Sequence, residues 1–334
     1  MIFLRINDYC ILPYLSSTDQ SGFPLVARII QIFNQKNITI ADSQGVIYHS
    51  AFLSGSLKRQ ATLAVGDFVR YEKIANSYRI TTLLNRNNQL VKNTSAARKS
   101  VHVKNGIQLI AANLTDVFVV IACDQRFTIS LLERYLLQFQ VPNTKLRIIL
   151  TKQDFQSDFL KIKQLILKSY PKLAIFAVSI YDQPSFAIFK KMLSNKSTSI
   201  FIGASGAGKS TIINQLAGQT LQKVCQVRFG DQRGKHTTTS ARLYFINDHF
   251  GYLIDTPGIK EIGLTNTAGT DVFADIDDLA GHCRFKNCRH TNEPGCAIQA
   301  AIQTGQLDAT RFQRYEKYRR ELDHHHKNKQ GKQQ

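Results

Sequence analysis

Gly203-Ala204-Ser205-Gly206-Ala207-Gly208-Lys209-Ser210 lies between a short apolar run, Thr198-Ser199-Ile200-Phe201-Ile202, and a segment of helical character, Thr211-Ile212-Ile213-Asn214-Gln215-Leu216. The octet fits G-x-x-x-x-G-K-[ST], and a strand before it with a helix after it is the context that gives the pattern meaning. Glycines at these positions let backbone N–H groups converge on a β-phosphate, and Lys209 faces the β- and γ-phosphates. The Ser210 hydroxyl, followed by Thr211, sits at a helix N-terminus, placed to ligate Mg²⁺. Gly203 through Thr211 therefore form a candidate phosphate-binding segment.

Two further motifs decide the topology by their order. Asp255-Thr256-Pro257-Gly258 follows the apolar run Gly251-Tyr252-Leu253-Ile254 and supplies a D-x-x-G, with Asp255 at the end of a strand where an acid can reach a Mg²⁺ water and Gly258 at the pivot. Thr151-Lys152-Gln153-Asp154, at the end of the strand-like Leu146-Arg147-Ile148-Ile149-Leu150, has the form of a guanine-reading loop. There an aspartate accepts from N1 and N2 while the lysine stem lies over the ring plane. Threonine replaces the usual asparagine at 151, which removes an amide that braces neighbouring loops. Ala174-Ile175-Phe176-Ala177-Val178-Ser179 reads as another strand, with Ser179 where a second base-contacting loop belongs. A conventional G domain runs phosphate loop, switch threonine, D-x-x-G, then base-reading loop. Here the last element precedes the first, which is the order of a circularly permuted G domain.

Arg233-Gly234-Lys235-His236-Thr237-Thr238-Thr239 lies between the phosphate loop and Asp255. One of the three threonines should close on Mg²⁺ and the γ-phosphate as the switch residue, with Thr238 carried as the expected ligand. The residue after D-x-x-G is Ile259, which cannot hydrogen-bond an attacking water, where many GTPases have glutamine.

At this point the chain resembles the RsgA family, also called YjeQ, of circularly permuted GTPases acting on the small ribosomal subunit. The resemblance is carried by the permuted motifs, Ala111-Ala112-Asn113-Leu114-Thr115-Asp116-Val117, Glu133-Arg134-Tyr135-Leu136 and a cysteine cluster beyond Asp255. It implies GTP hydrolysis coupled to late maturation of that subunit and to release from it, with turnover stimulated by the subunit. It also implies binding to ribosomal RNA, and a catalytic role for His236 alongside Lys209. Another reading is an RNA-binding scaffold that holds GTP as a structural ligand. A P-loop ATPase or kinase is a third, favoured if adenine nucleotides compete well.

Cys283, Cys288, His290 and Cys296 form C-x4-C-x-H-x5-C. Three thiolates and one imidazole within fourteen residues match a closed, structural Cys₃His zinc site. The alternatives are a disulfide with one thiol left over, or His282 in place of His290. Cys10, Cys123 and Cys225 are scattered among apolar neighbours and read as reduced thiols.

The 334 residues suit two or three cores, and a formal net charge of +19 exceeds what a nucleotide pocket needs. The surplus points to a polyanion such as RNA rather than a membrane surface. No signal-like leader and no apolar stretch long enough to span a bilayer is evident, so a soluble, cytoplasmic monomer is expected. Short alternating runs over residues 1–85, including Leu25-Val26-Ala27-Arg28-Ile29-Ile30, predict a small β-barrel. The pattern does not separate OB-fold from SH3-like barrels, and the family resemblance favours the OB-fold. Residues 86–105 read as a basic linker, 106–265 as the permuted α/β GTPase domain, and 266–323 as a helical zinc-binding domain. Phe312, Tyr315, Tyr318 and Leu322 there have helical spacing. Residues 324–334 read as a disordered basic tail.

Overall fold

The computed structural model describes residues 25–42, 46–93, 103–104, 107–179, 181–193, 197–217, 241–247, 250–256 and 271–330. Contacts divide the chain into two compact units: Met1–Phe127 with Val141–Glu261, and Thr128–Gln140 with Ile262–Gln334. No helix among the described residues is long and apolar enough to cross a membrane.

The first unit begins with β1 (Val26–Asn34), β2 (Asn37–Asp42), β3 (Ile47–Leu53), α1 (Gly55–Gln60), β4 (Phe68–Ile74) and β5 (Ser77–Leu83). These strands are ordered β1-β2-β3-β5-β4, and β4 pairs back onto β1 to close a five-stranded, OB-like barrel. The closing pair and the parallel β3–β5 pair give the connectivity that alternation alone left open between barrel types. Ala27, Ile29, Ile32, Ile38, Ile40, Val69 and Ile80 are among the side chains filling its core. Ile29 and Ile32 share that core, although three residues apart, because the register against β2 shifts between Ile29 and Gln31.

The segment expected to be a linker contains ordered structure. Residues 89–93 form β6 (Gln89–Asn93), which with β7 (Val103–Lys104) and β8 (Ile107–Ala112) makes a three-stranded sheet. Arg86 holds the fully buried carboxylate of Asp67 at 2.6 and 2.7 Å and donates to the Thr62 carbonyl at 2.6 Å. A polar, aperiodic sequence concealed this because Arg86 finds its partner 19 residues earlier.

The G-domain sheet contains β9 (Asp116–Ala122), β10 (Lys145–Thr151), β11 (Ala174–Val178), β12 (Thr198–Ile202), β13 (Arg242–Asn247) and β14 (Gly251–Asp255), with α3 (Gln156–Ser169), α4 (Gln183–Lys191) and α5 (Lys209–Ala217) between strands. Its order is β11-β10-β9-β12-β14-β13, parallel except for the antiparallel β13–β14 hairpin. The barrel is hydrogen-bonded to this sheet through β1 and β13, with Gln31 opposite Arg242.

Arg28 fastens the same junction. It is 1% exposed, donates to the Gly66 carbonyl at 3.3 Å and to Thr198 Oγ1 at 2.8 Å, and lies over the rings of Phe68 and Tyr252. A guanidinium can be buried this way because its planar fork meets acceptors at the edge and aromatic faces above. Gly66, at φ +94°, allows the close approach: a Cβ there would lie 2.3 Å from the Ala112 carbonyl oxygen.

The second unit comprises α2 (Ile129–Phe139), a 3₁₀ turn (Asp271–Phe273), α6 (Ala274–Gly281), α7 (Ala297–Gln303) and α8 (Ala309–Gln330). α2 lies within the 106–265 segment in sequence yet packs here. Glu133 is fully buried and accepts from Arg314 Nε at 2.8 and 3.0 Å, while Arg134 pairs with Glu321 at 2.9 Å. Phe312, Tyr315 and Tyr318 are buried as their spacing predicts. α8 runs on to Gln330, through most of the stretch expected to be a disordered tail. That stretch has no glycine or proline before Gly331 to stop a helix.

Arg28→Ala should destabilise the chain by about 3 kcal/mol, because it opens a cavity and takes the guanidinium donor from the buried Thr198 hydroxyl, while the Gly66 carbonyl keeps its bond from Asn113. Arg28→Lys should not restore it, since an ammonium lacks the planar fork. Urea denaturation is the measurement, and wild-type midpoints for both variants would refute the role.

Candidate nucleotide site and metal cluster

β12 is buried along its whole length and delivers the phosphate loop to the carboxyl edge of the sheet, with α5 starting at Lys209. Gly203 has φ +152°, and a Cβ there would meet the Val120 carbonyl oxygen at 2.2 Å, so no other residue fits where the loop leaves the strand. Ala204, Ser205, Gly206, Ser210 and Thr211 are exposed, whereas Ala207 is buried beneath the turn. Lys209 Nζ donates to the carbonyls of Gly203 and Ala204 at 2.7 and 2.6 Å, which holds the ammonium across the loop mouth.

Asp255 ends β14 on the same edge. Burial pushes its carboxyl above the ordinary range, and Lys209 partly offsets the effect. Burial in turn pushes the Lys209 ammonium down, against the opposing influence of Asp255.

The loop expected from the sequence to read a base lines a cavity of about 410 Å³, with Asp124, Lys152, Asp154, Phe155, Ser179, Tyr181, Gly208 and Thr211 among its walls. Thr151 is buried, and its hydroxyl donates to the Ala207 carbonyl at 2.8 Å. The missing asparagine amide is thus replaced by a shorter side chain that ties this loop directly to the phosphate loop. Lys152 adopts φ +59° and pairs with Asp124 at 2.5 Å. Gln153 is not among those walls, and its amide donates to Asp182 at 2.8 Å and to Ser185 at 3.3 Å. The Ser179 amide also reaches Ser185, at 3.3 Å, so Gln153 joins the first base loop to the second.

Asp124 and Gln125 were not singled out from the sequence. Gln125 Nε2 donates to the Ser205 carbonyl at 3.0 Å, bracing the phosphate loop from the turn after β9. The available signal was position, since polar residues directly after a buried parallel strand lie at the ligand-binding edge of an α/β sheet. His236, Thr238 and Gly258 lie outside the described residues.

In the second unit, the ligand atoms of Cys283, Cys288, His290 and Cys296 all lie within 4.8 Å of one another, so the four could hold a metal ion. His290 Nδ1 is 3.5 Å from Cys283 Sγ and 3.6 Å from Cys296 Sγ, and the two sulfurs are 4.0 Å apart. All four cysteines in the described residues are free thiols, which removes the disulfide alternative for this cluster. His282 is exposed and its Nδ1 lies 2.8 Å from the Asp278 carbonyl, outside the cluster, so His290 is the imidazole that converges. Cys296 also caps α7, accepting from the Gln299 amide at 3.5 Å. Glu293 closes the intervening loop by accepting from the Arg289 and Thr291 amides, and these bonds, that from Arg289 foremost, push its carboxyl down to about 2. Phe312 meets the His290 ring edge to face at 6.0 Å.

Comparison with known proteins agrees with this geometry. The chain is similar to the YjeQ structure from Thermotoga maritima, with a TM-score of 0.62 and 21% identity over 89% of this chain and 98% of that one. It is also similar to the structure of YloQ, described as a circularly permuted GTPase, with a TM-score of 0.62 and 23% identity over 90% and 96%. A protein of Vibrio parahaemolyticus named small ribosomal subunit biogenesis GTPase RsgA 2 is 41% identical over 67% of this chain and 63% of its own length. The chain thus spans less than two thirds of that relative. It spans 73% of a Listeria innocua protein named small ribosomal subunit biogenesis GTPase RsgA 1, at 33% identity over 78% of this chain. The family model described as RsgA GTPase matches residues 83–265, which include the phosphate loop, the base-reading loop and Asp255, and the chain belongs to that family.

Proposed function

We propose that this chain is a GTPase that binds the small ribosomal subunit, is stimulated by it, and couples hydrolysis to late subunit maturation and to its own release. The observation that carries the reading is the single cleft in which Thr151 bonds Ala207, so that one loop bearing Asp154 and another bearing Lys209 are braced as a unit. Family membership and the names of the relatives support the subunit as partner. The charge of +19 supports contact with ribosomal RNA, through the barrel and the basic segments.

In the proposed chemistry Asp154 reads guanine, Ser179 closes the base edge, and the phosphate-loop amides with Lys209 hold the β- and γ-phosphates. Ser210 and Thr238 are hard oxygen donors that would hold Mg²⁺, with Asp255 reaching it through a bound water; the ion supplies charge neutralisation on the β- and γ-phosphates when bound. His236 orients the attacking water in place of the glutamine that Ile259 cannot replace.

The cysteine cluster is proposed as structural zinc. A tetrahedral ion at ordinary bond lengths sets thiolates about 3.8 Å apart and a thiolate about 3.5 Å from an imidazole nitrogen. The observed spacings of 4.0, 3.5 and 3.6 Å fit those edges. With four protein donors no position is left open, so the ion contributes folding energy and not catalysis.

Asp154→Asn should weaken GTP binding by about tenfold or more and confer preference for xanthosine nucleotides, read by calorimetry. Unchanged GTP affinity would remove residues 151–154 from base recognition. Lys209→Ala should abolish tight nucleotide binding, whereas His236→Ala should bind GTP normally and lose about a hundredfold in turnover on isolated small subunits, because its contact exists only in the transition state. Wild-type single-turnover rates for His236→Ala on the subunit would assign the water to another group. Cys288→Ser should lose one zinc per chain by elemental analysis and unprotect residues 283–296 in hydrogen exchange while the phosphate loop stays protected. A metal-free wild-type protein with a protected segment contradicts the structural role.

A further inference from the structure

The cavity that takes the base has an aromatic wall that none of the nucleotide motifs includes. Tyr181 lines it and is 85% exposed, and Phe155, immediately after Asp154, lines it at 48% exposed. A single exposed ring on a protein surface needs no explanation. Two rings at the mouth of one cavity, beside the carboxylate that would read the base in its plane, are a different matter. A purine needs in-plane partners and also cover for its two faces, and the Lys152 stem can cover only one.

The backbone around Tyr181 is held in place by polar contacts. Its amide donates to Ser179 Oγ at 3.2 Å, the Ser179 amide reaches Ser185 Oγ at 3.3 Å, and Ser185 Oγ donates to the Asp182 carbonyl at 2.9 Å. Gln153 then connects Asp182 and Ser185 to the loop that carries Asp154. The ring therefore springs from a braced turn, and a tyrosine loses little rotational freedom on stacking because it has two side-chain torsions. Aromatic side chains stacked on bases are worth about a tenfold or larger change in affinity when truncated, whichever base is present.

We propose that Tyr181 is a nucleotide-binding residue that stacks on the face of the guanine base opposite the Lys152 stem. The inference rests on the guanine-nucleotide reading of this cleft. It predicts that affinity depends on the ring at 181 but not on the phenolic hydroxyl.

The test uses the full chain and GDP. Tyr181→Ala should bind GDP about tenfold more weakly by calorimetry, and Tyr181→Phe should stay within about twofold of wild type. The chain has no tryptophan. Tyr181→Trp therefore introduces one reporter, whose emission should be quenched saturably by GDP with the same Kd that calorimetry gives. If wild type binds GDP while Tyr181→Ala binds it equally well and the Tyr181→Trp emission is unchanged at saturation, stacking is excluded and the guanine reading stands. If wild type does not bind GDP, both fall together.

Discussion

The parallel alignment of β10, β9 and β11 at their carboxyl ends is the constraint on which the nucleotide site depends. Thr151 lies opposite both Ala122 and Val178, so the loops beginning at Cys123, Lys152 and Ser179 leave the sheet at one level. β12 runs parallel beside β9 with Ile202 opposite Val119, which brings Gly203 against Val120. Strand adjacency, and not chain order, decides which loops meet. That is why a permuted sequence can still bring Gly203, Lys152, Ser179 and Asp255 to one edge of the sheet. The bond from Thr151 to Ala207 is the local expression of this arrangement.

What could be read from the sequence was what is encoded locally. The strand and helix on either side of the Gly203–Ser210 loop, the end of β14 at Asp255 and the convergence of Cys283, Cys288, His290 and Cys296 depend on spacings of a few residues. Residues whose role depends on distant partners were not legible. Arg28 looks like the polar member of an alternating strand, and its acceptor Thr198 is 170 positions away. Glu133 belongs to an amphipathic helix by pattern, but its buried charge is answered by Arg314, 181 positions on. Asp124 and Gln125 follow an apolar strand without belonging to any motif. Barrel type also required a long-range fact, the pairing of β4 with β1, which alternation cannot express. In the other direction, a polar composition suggested irregular chain where β6 and the end of α8 form, because tertiary pairing and the absence of helix breakers outweigh low hydrophobicity.

The permutation also has a mechanical reading. The barrel is joined to the sheet at β13, the strand that follows the expected switch threonines, and Arg28 reaches both β12 and the Tyr252 ring on β14, the strand that ends in Asp255. A load on the barrel therefore bears on β12, β13 and β14, and rearrangement of those strands bears on the barrel. Under the proposed function, this hydrogen-bonded element would link RNA contact at the barrel to the state of the bound nucleotide.

The most direct test of this account is steady-state GTP hydrolysis by the full chain with and without purified small ribosomal subunits, at fixed Mg²⁺ and salt, using large subunits as the control. The account predicts slow intrinsic turnover, because Ile259 cannot orient water, and a rise of about tenfold or more that is saturable in small subunits and absent with large ones. Turnover that is the same with and without small subunits would contradict it.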